Sequence, residues 1–272
     1  LIDNFKIFTT IGIYLQILVR REFMVIVIAN QKGGVGKSTT ALALWSGMRQ
    51  KGFRTLLVDL DPQCNTSYAA GIVGAELTAY ELLKGKAAIS ETIIQTLQGD
   101  IIPSDPGFAN MDLELNVTGK EYRLKEALSN IESNYDYIII DTPPALGILT
   151  VNALTAADTI IITAQSDIFS VHGLGQLYST IDTVRNYCNP KISISGILLT
   201  RHNPRSILSR DMNIMFEETA AKVNTRVYKT IIRECISIKE AQINQQDIFT
   251  YASKSNAVKD YLEFIEEVLK NG

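Results

Sequence analysis

At 272 residues, with 46% hydrophobic side chains and a net charge of −3, the chain can bury the core of one large α/β domain and is not a polycation. Its three cysteines, Cys64, Cys188 and Cys235, are odd in number, far apart and lack a C-x-x-C pair; this argues against a disulfide framework or structural zinc and fits a reducing cytosol. Two histidines, His172 and His202, are too few for a histidine-based metal site.

Residues 1–23 are expected to lie outside the core, as an accessory extension or translated upstream region, with Met24 as the natural start of a single domain over 24–272. The apolar part of that stretch, Ile7 to Val19, is interrupted by polar residues and is short for a bilayer span. A membrane-touching amphipathic helix is the alternative reading of it.

From Met24 the run MVIVI predicts a buried strand, and ANQKGGVGKSTT follows it. A strand, a glycine-rich turn and a helix opened by Lys37, Ser38 and Thr39 is the layout of a nucleotide-phosphate site. Gly33, Gly34 and Gly36, with Val35 between them, allow backbone N–H groups to converge on phosphate oxygens. The helix that follows directs its positive end at the same point. Lys37 is placed for the β- and γ-phosphates and the Ser38 hydroxyl for Mg²⁺. The first glycine of the usual G-x-x-x-x-G-K-[ST] pattern is Gln31, and an additional lysine, Lys32, follows it.

Farther along, TLLVDL predicts a second buried strand that runs into Asp61-Pro62-Gln63-Cys64-Asn65. Strand ends in such sheets face the ligand crevice, which puts Asp59 and Asp61 where chemistry would occur. Short helices are expected within residues 80–83 and 89–97, a strand over 99–104 and a helix over 121–133. Then YDYIIIDTPP delivers Asp141 from a buried strand, the arrangement that sets a carboxylate beside Mg²⁺. Strands over 158–164 and 192–200 and helices over 170–187 and 207–223 continue the alternation. A mostly parallel twisted sheet with helices on both faces follows from it.

The three motifs together resemble the deviant Walker A ATPases, a P-loop group that includes the ParA and Soj partition proteins and MinD. The resemblance covers about Met24 to Lys270. It implies ATP and Mg²⁺ as cofactors and an ATP-dependent homodimer in which Lys32 reaches the partner's nucleotide. It further implies Asp61 on the attacking water, Ser38, Asp59 and Asp141 around the metal, and Thr39 on an α-phosphate oxygen. The segment DLDPQCN resembles the ParA-type DxDPQGN motif with Cys64 in the glycine position.

Charge is unevenly spread: residues 190–260 hold 11 basic and 7 acidic side chains. On the resemblance, this C-terminal half would bind double-stranded DNA without sequence preference, through Arg201, Arg205, Arg210, Arg233 and Lys239 around an expected strand VYKTII. Phosphate contacts of that kind give affinity without base reading. Where the family commonly has PRNVRLSEA, the chain has RECISIKEA, so two family arginines become Glu234 and Ser237. The implied function is cargo positioning with a ParB-like activator, on the nucleoid and without stable membrane association. A MinD-like membrane-cycling regulator is the alternative; the closing helix is net negative, unlike a basic membrane anchor.

Overall fold

A computed structural model describes residues 23–202 and 207–270, without the side chains of residues 168, 169, 171, 172, 207–211 and 213. The expectations for residues 1–22 fall outside that range. Seven strands form one sheet: β1 Met24–Ala29, β2 Thr55–Asp59, β3 Ile94–Thr96, β4 Gly99–Ile102, β5 Tyr137–Asp141, β6 Thr159–Gln165 and β7 Ser193–Thr200. Their spatial order is β3-β4-β2-β5-β1-β6-β7, and only β3 runs antiparallel. The principal helices are α1 Lys37–Gln50, α2 Asn65–Ala69, α3 Ile148–Ala156, α4 Ile168–Tyr187, α5 Ile207–Lys222, α6 Ile236–Ile243 and α7 Asn256–Leu269.

The strands read as unbroken apolar runs because both faces are covered. In β1, Val25 and Val27 face a core built with Leu149, Leu154, Leu177, Ile181 and Phe216 of α3, α4 and α5. Ile26 and Ile28 face the opposite core, with Leu44, Trp45 and Met48 of α1 and Tyr261, Phe264 and Ile265 of α7. The period-2 pleat thus divides one strand between two cores.

Parallel pairing brings functional ends together. In register, Ile28 of β1 lies beside Asp141 of β5, and Asp59 of β2 lies on the other side of the same residue. All the strands that end in candidate site residues therefore finish along one edge, where α1 begins.

Three expected elements differ. The helix expected to reach Leu97 stops at Thr92, and Ile94–Thr96 pairs with β4 instead. Thr96 closes that hairpin, donating from its hydroxyl to the Gly99 carbonyl at 2.8 Å and accepting from the Gln98 N–H at 3.1 Å. Within 121–133 only Arg123–Ser129 is α-helical. The segment VYKTII is no regular strand: it lies along the β7 edge through bonds such as Tyr228 N–H to Ile197 O and Ile232 N–H to Leu199 O, both 2.9 Å. Between them the Lys229 and Thr230 N–H groups donate to Glu267 of α7, which interrupts the ladder. The segment still covers a sheet edge that would otherwise be bare.

Helix α1 can seat against α7 because residue 47 has no side chain. A Cβ on Gly47 would land on Ile265 Cδ1 and come within 2.9 Å of Phe249 Cζ. Gly47→Ala is expected to lower the unfolding free energy by about 1–3 kcal/mol, the usual cost of overpacking. Equilibrium urea denaturation measures this, and an unchanged midpoint would show that the α1–α7 contact is looser than described.

Candidate functional site

The turn from β1 to α1 is built on two left-handed glycines. Gly34 has φ 76° and Gly36 has φ 83°, and Gly36 caps α1 without any side-chain hydrogen bond. These dihedrals are the reason glycine stands there. Gly33 does not share them; a Cβ on it would meet open space. Its neighbours hold the turn from outside: Thr200 donates its hydroxyl to the Val35 carbonyl at 2.8 Å, and Gln165 Nε2 donates to the Gly34 carbonyl at 3.0 Å. Asn30 accepts from the Lys32 N–H at 2.8 Å.

Inside the turn lies Lys37, only 6% exposed. Its Nζ donates to the Lys32 carbonyl at 3.2 Å. Burial lowers the Lys37 pKa, opposed by the negative charges of Asp141 and Asp61. Lys32 takes a different course. Its Nζ forms an ion pair with Asp167 at 2.6 Å, and Asp167 also caps α4 through the Ser170 N–H. In this structure Lys32 is therefore bonded within its own subunit.

Asp59 and Asp141 are both fully buried. Asp59 Oδ1 accepts the Asp61 N–H at 3.0 Å, and Oδ2 accepts both the N–H and the hydroxyl of Ser67, at 2.8 and 2.7 Å. These bonds shape the turn that carries Asp61, and Ser104 finishes it by donating to the Asp61 carbonyl at 2.7 Å. Burial, with the neighbouring Asp141 charge, raises the Asp59 pKa. Asp141 accepts the Thr66 hydroxyl at 2.6 Å through Oδ2, whereas Oδ1 is buried without a hydrogen-bond partner. Its pKa is pushed up to about 6 by burial, and the hydroxyls of Thr66 and Ser38 and the charge of Lys37 counter that rise.

Cys64, at the start of α2, adopts φ 54°. A left-handed residue is required at that point, which explains a glycine in related motifs and strains a cysteine. Burial and the surrounding carboxylates, Asp59 first, raise its pKa to about 11, so the thiol stays protonated and inert. All three cysteines are free.

A cavity of about 620 Å³ opens over this turn, lined by Gly33, Gly34, Gly36, Lys37, Ser38 and Thr39 on one wall and by Asp61 beside them. The opposite wall comes from the C-terminal segment, including Arg201, Arg233, Glu234, Lys239 and Gln242. Two of the candidate DNA-contacting residues are ion-paired: Arg201 with Glu234 at 2.9 Å, and Arg233 in a bidentate grip on buried Asp260. Lys239 faces the cavity. Arg205 lies outside the described residues, as does the Arg210 side chain.

A family model described as an AAA domain matches residues 23–194. The chain is 39% identical over 255 residues to the sporulation initiation inhibitor protein Soj of Bacillus subtilis, covering 91% of this chain and 99% of that protein. It is 38% identical over 252 residues to the chromosome partitioning protein ParA of Caulobacter vibrioides, covering 90% and 93%. The chain belongs to the ParA-type partitioning ATPase family. Among solved structures, cobyrinic acid a,c-diamide synthase from Mycobacterium smegmatis with bound ADP and magnesium superposes at a TM-score of 0.79. It is 31% identical, covering 91% of this chain and 94% of that one.

In this ParA-type chain the motifs assign no role to the side chains that hold the loop and its acids in place: Asn30, Thr66, Ser67, Ser104, Gln165 and Thr200. Thr66 and Ser67 directly follow the DPQCN motif, and that adjacency was the available signal. Thr66→Val is expected to leave Asp141 without its neutral donor and to cost about 1–3 kcal/mol of stability. The deficit should be largest at pH 8 and shrink toward pH 5, because losing a donor to the carboxylate raises an already elevated pKa and penalises only the ionised form. Urea denaturation of both proteins at the two pH values checks this; a pH-independent deficit would contradict it.

Proposed function

We propose that this chain is a Mg²⁺-dependent ATPase that dimerises with ATP, binds DNA without sequence preference and positions a plasmid, chromosome origin or other cargo. A ParB-like partner would stimulate hydrolysis and release. The observation that carries this reading is one cavity lined by Lys37, Ser38 and Asp61, with Asp141 directly behind and Lys32 at the loop. Kinship with Soj and ParA supports the partitioning role and a nucleoid-associated location.

The donors fit the cofactors. Asp141 keeps one buried oxygen unpartnered beside the Ser38 hydroxyl, a suitable pair for an octahedral cation that takes one or two carboxylates and completes its shell with phosphate and water. Mg·ATP, when bound, supplies the labile phosphoanhydride and the divalent charge. Lys37 would neutralise the β- and γ-phosphates, Thr39 would donate to an α-phosphate oxygen, and Asp61 would orient or deprotonate the attacking water. Asp59 would act through the turn it shapes. Lys32 would exchange Asp167 for the partner subunit's nucleotide.

Among the described residues no helix is long and apolar enough to cross a membrane. The DNA surface would combine Arg201, Arg205, Arg210, Arg233 and Lys239, with Arg201 and Arg233 reached only by competing with Glu234 and Asp260.

Co-sedimentation with random-sequence duplex is expected to show binding with ATP, little with ADP, and a steep fall with salt. Equal or absent binding in both nucleotide states would refute the reading, and turnover dependent on a small acceptor but indifferent to DNA would replace it with a metabolic one. In the same assay Glu234→Gln should free Arg201, strengthen ATP-dependent binding several-fold at low salt and steepen the salt slope by about one phosphate contact. Asp61→Ala should reduce the hydrolysis rate about 100-fold or more while leaving the ATP dimer intact. Phosphate release and light scattering with ATP measure these two properties, and an unaltered rate would remove Asp61 from its assigned role.

A further inference from the structure

Helix α6 packs against α2, and one polar bond joins it to the N-terminal turn of α1: Gln242 Nε2 donates to the Thr39 hydroxyl at 3.2 Å. Both residues line the large cavity, and both also line a smaller gap of about 20 Å³ between the two helices, room for about one water. Apart from that bond α6 is seated by Ala241 and the half-buried Ile238, both against the core that α1 and α7 share. Ala241 is its one buried residue, and Ile236 and Ile243 are each 71% exposed. At its C-terminal end, Gln98 Nε2 donates to the Gln245 carbonyl at 2.9 Å. At its N-terminal end, Glu234 is held by Arg201, whose other nitrogen reaches the Gly34 carbonyl at 3.4 Å.

We propose that Gln242 is a positioning residue for Thr39 and that, through this bond, helix α6 senses whether nucleotide fills the cavity. The proposal rests on the reading above in which Thr39 donates to an α-phosphate oxygen. A hydroxyl has one proton and two lone pairs. With the Gln242 amide donating into a lone pair, the Thr39 proton is directed away from Gln242 and is available to the phosphate. A hydroxyl that donates to an anion becomes a better acceptor, so the two bonds strengthen one another. Nucleotide therefore tightens the Gln242–Thr39 bond and with it the seating of α6, a segment whose few buried contacts leave it prone to local opening. Both ADP and ATP carry the α-phosphate, so the link reports occupancy and not the γ-phosphate. Its consequence is that Lys239, Ile236 and Ile243 are presented in one fixed arrangement only on the nucleotide-bound protein.

Hydrogen–deuterium exchange of the full chain, without nucleotide and with Mg·ADP or Mg·AMPPNP, tests this on the wild type, Gln242→Leu and Thr39→Ser. Exchange at 33–40 reports loop occupancy, and exchange at 236–243 reports α6. In the wild type both nucleotides are expected to slow exchange at both segments, by about fivefold or more at 236–243. Gln242→Leu should still protect 33–40 at saturating nucleotide but lose the protection of 236–243, with nucleotide affinity reduced several-fold in a fluorescent-ADP titration. Thr39→Ser, which keeps the hydroxyl, should retain both. Protection of 236–243 that survives in Gln242→Leu, or that is absent in the wild type while 33–40 is protected, would overturn the proposal and leave the nucleotide site standing. No protection of 33–40 in the wild type would overturn the nucleotide reading and the proposal together. Should Gln242→Leu not fold, Gln242→Ala serves in its place, and the wild-type comparison alone still decides whether α6 responds to nucleotide.

Discussion

The structure depends on two buried carboxylates set side by side. Parallel pairing of β2 with β5 places Asp59 and Asp141 in register, each fully removed from water, next to the strand that begins the phosphate loop. Such a pair is costly unless every nearby group works against the repulsion. Asp59 is satisfied by three donors from the turn and helix α2 that follow it, and Asp141 by Thr66, with Lys37 and Ser38 close by. The arrangement is asymmetric. Both Asp59 oxygens are taken by donors that shape the chain, whereas Asp141 Oδ1 is buried without a hydrogen-bond partner. Two acids of similar sequence context, each ending an apolar strand, thus receive different work from the donors around them.

That asymmetry was not legible in the sequence, although the convergence of the candidate residues on one cavity was. MVIVI, TLLVDL and YIIID are short apolar runs that end in or lead directly into candidate site residues, and a strand buried on both faces admits little else. The glycine-lysine turn carries its own geometry, and Gly34 and Gly36 take the left-handed dihedrals that the motif requires. Strand order is different information, because nothing in β2 names β5 as its neighbour. Segments with weak local signals went astray for the same reason. VYKTII has the composition of a strand, yet its central N–H groups are taken by Glu267 of the last helix, nearly forty residues on by sequence, and no local pattern encodes that competition. The helical pattern runs on through Ile94, Gln95 and Thr96, although a hairpin closed by Thr96 draws those three residues into the sheet.

Charge was legible as number and not as availability. Residues 190–260 carry an excess of basic side chains, but Arg201 is bonded to Glu234 and Arg233 to Asp260, partners brought together only by folding. The two pairs differ in kind. Arg233 grips a carboxylate that is 6% exposed through two nitrogens, and it also donates its backbone N–H to the same group, so it serves to hold the C-terminal segment onto α7. Arg201 and Glu234 are both substantially exposed, and pairs of that sort contribute at most about 1 kcal/mol. Of the two, Arg201 is the side chain a phosphate backbone could recruit.

The same comparison applies to Lys32. Its bond to Asp167 is short, but both side chains remain about 30% exposed, so solvent and salt weaken the attraction. A triphosphate with its concentrated negative charge presents a stronger partner than one capping carboxylate. On the proposed dimer reading the pair would act as a loose latch, holding the lysine without nucleotide and giving it up to a second subunit's phosphates. Arg201 stands in the corresponding position toward DNA. The two cations on which dimerisation and DNA binding would depend are thus each paired with a solvent-reached carboxylate of the same chain, and on that reading each would be released by a more strongly charged anion.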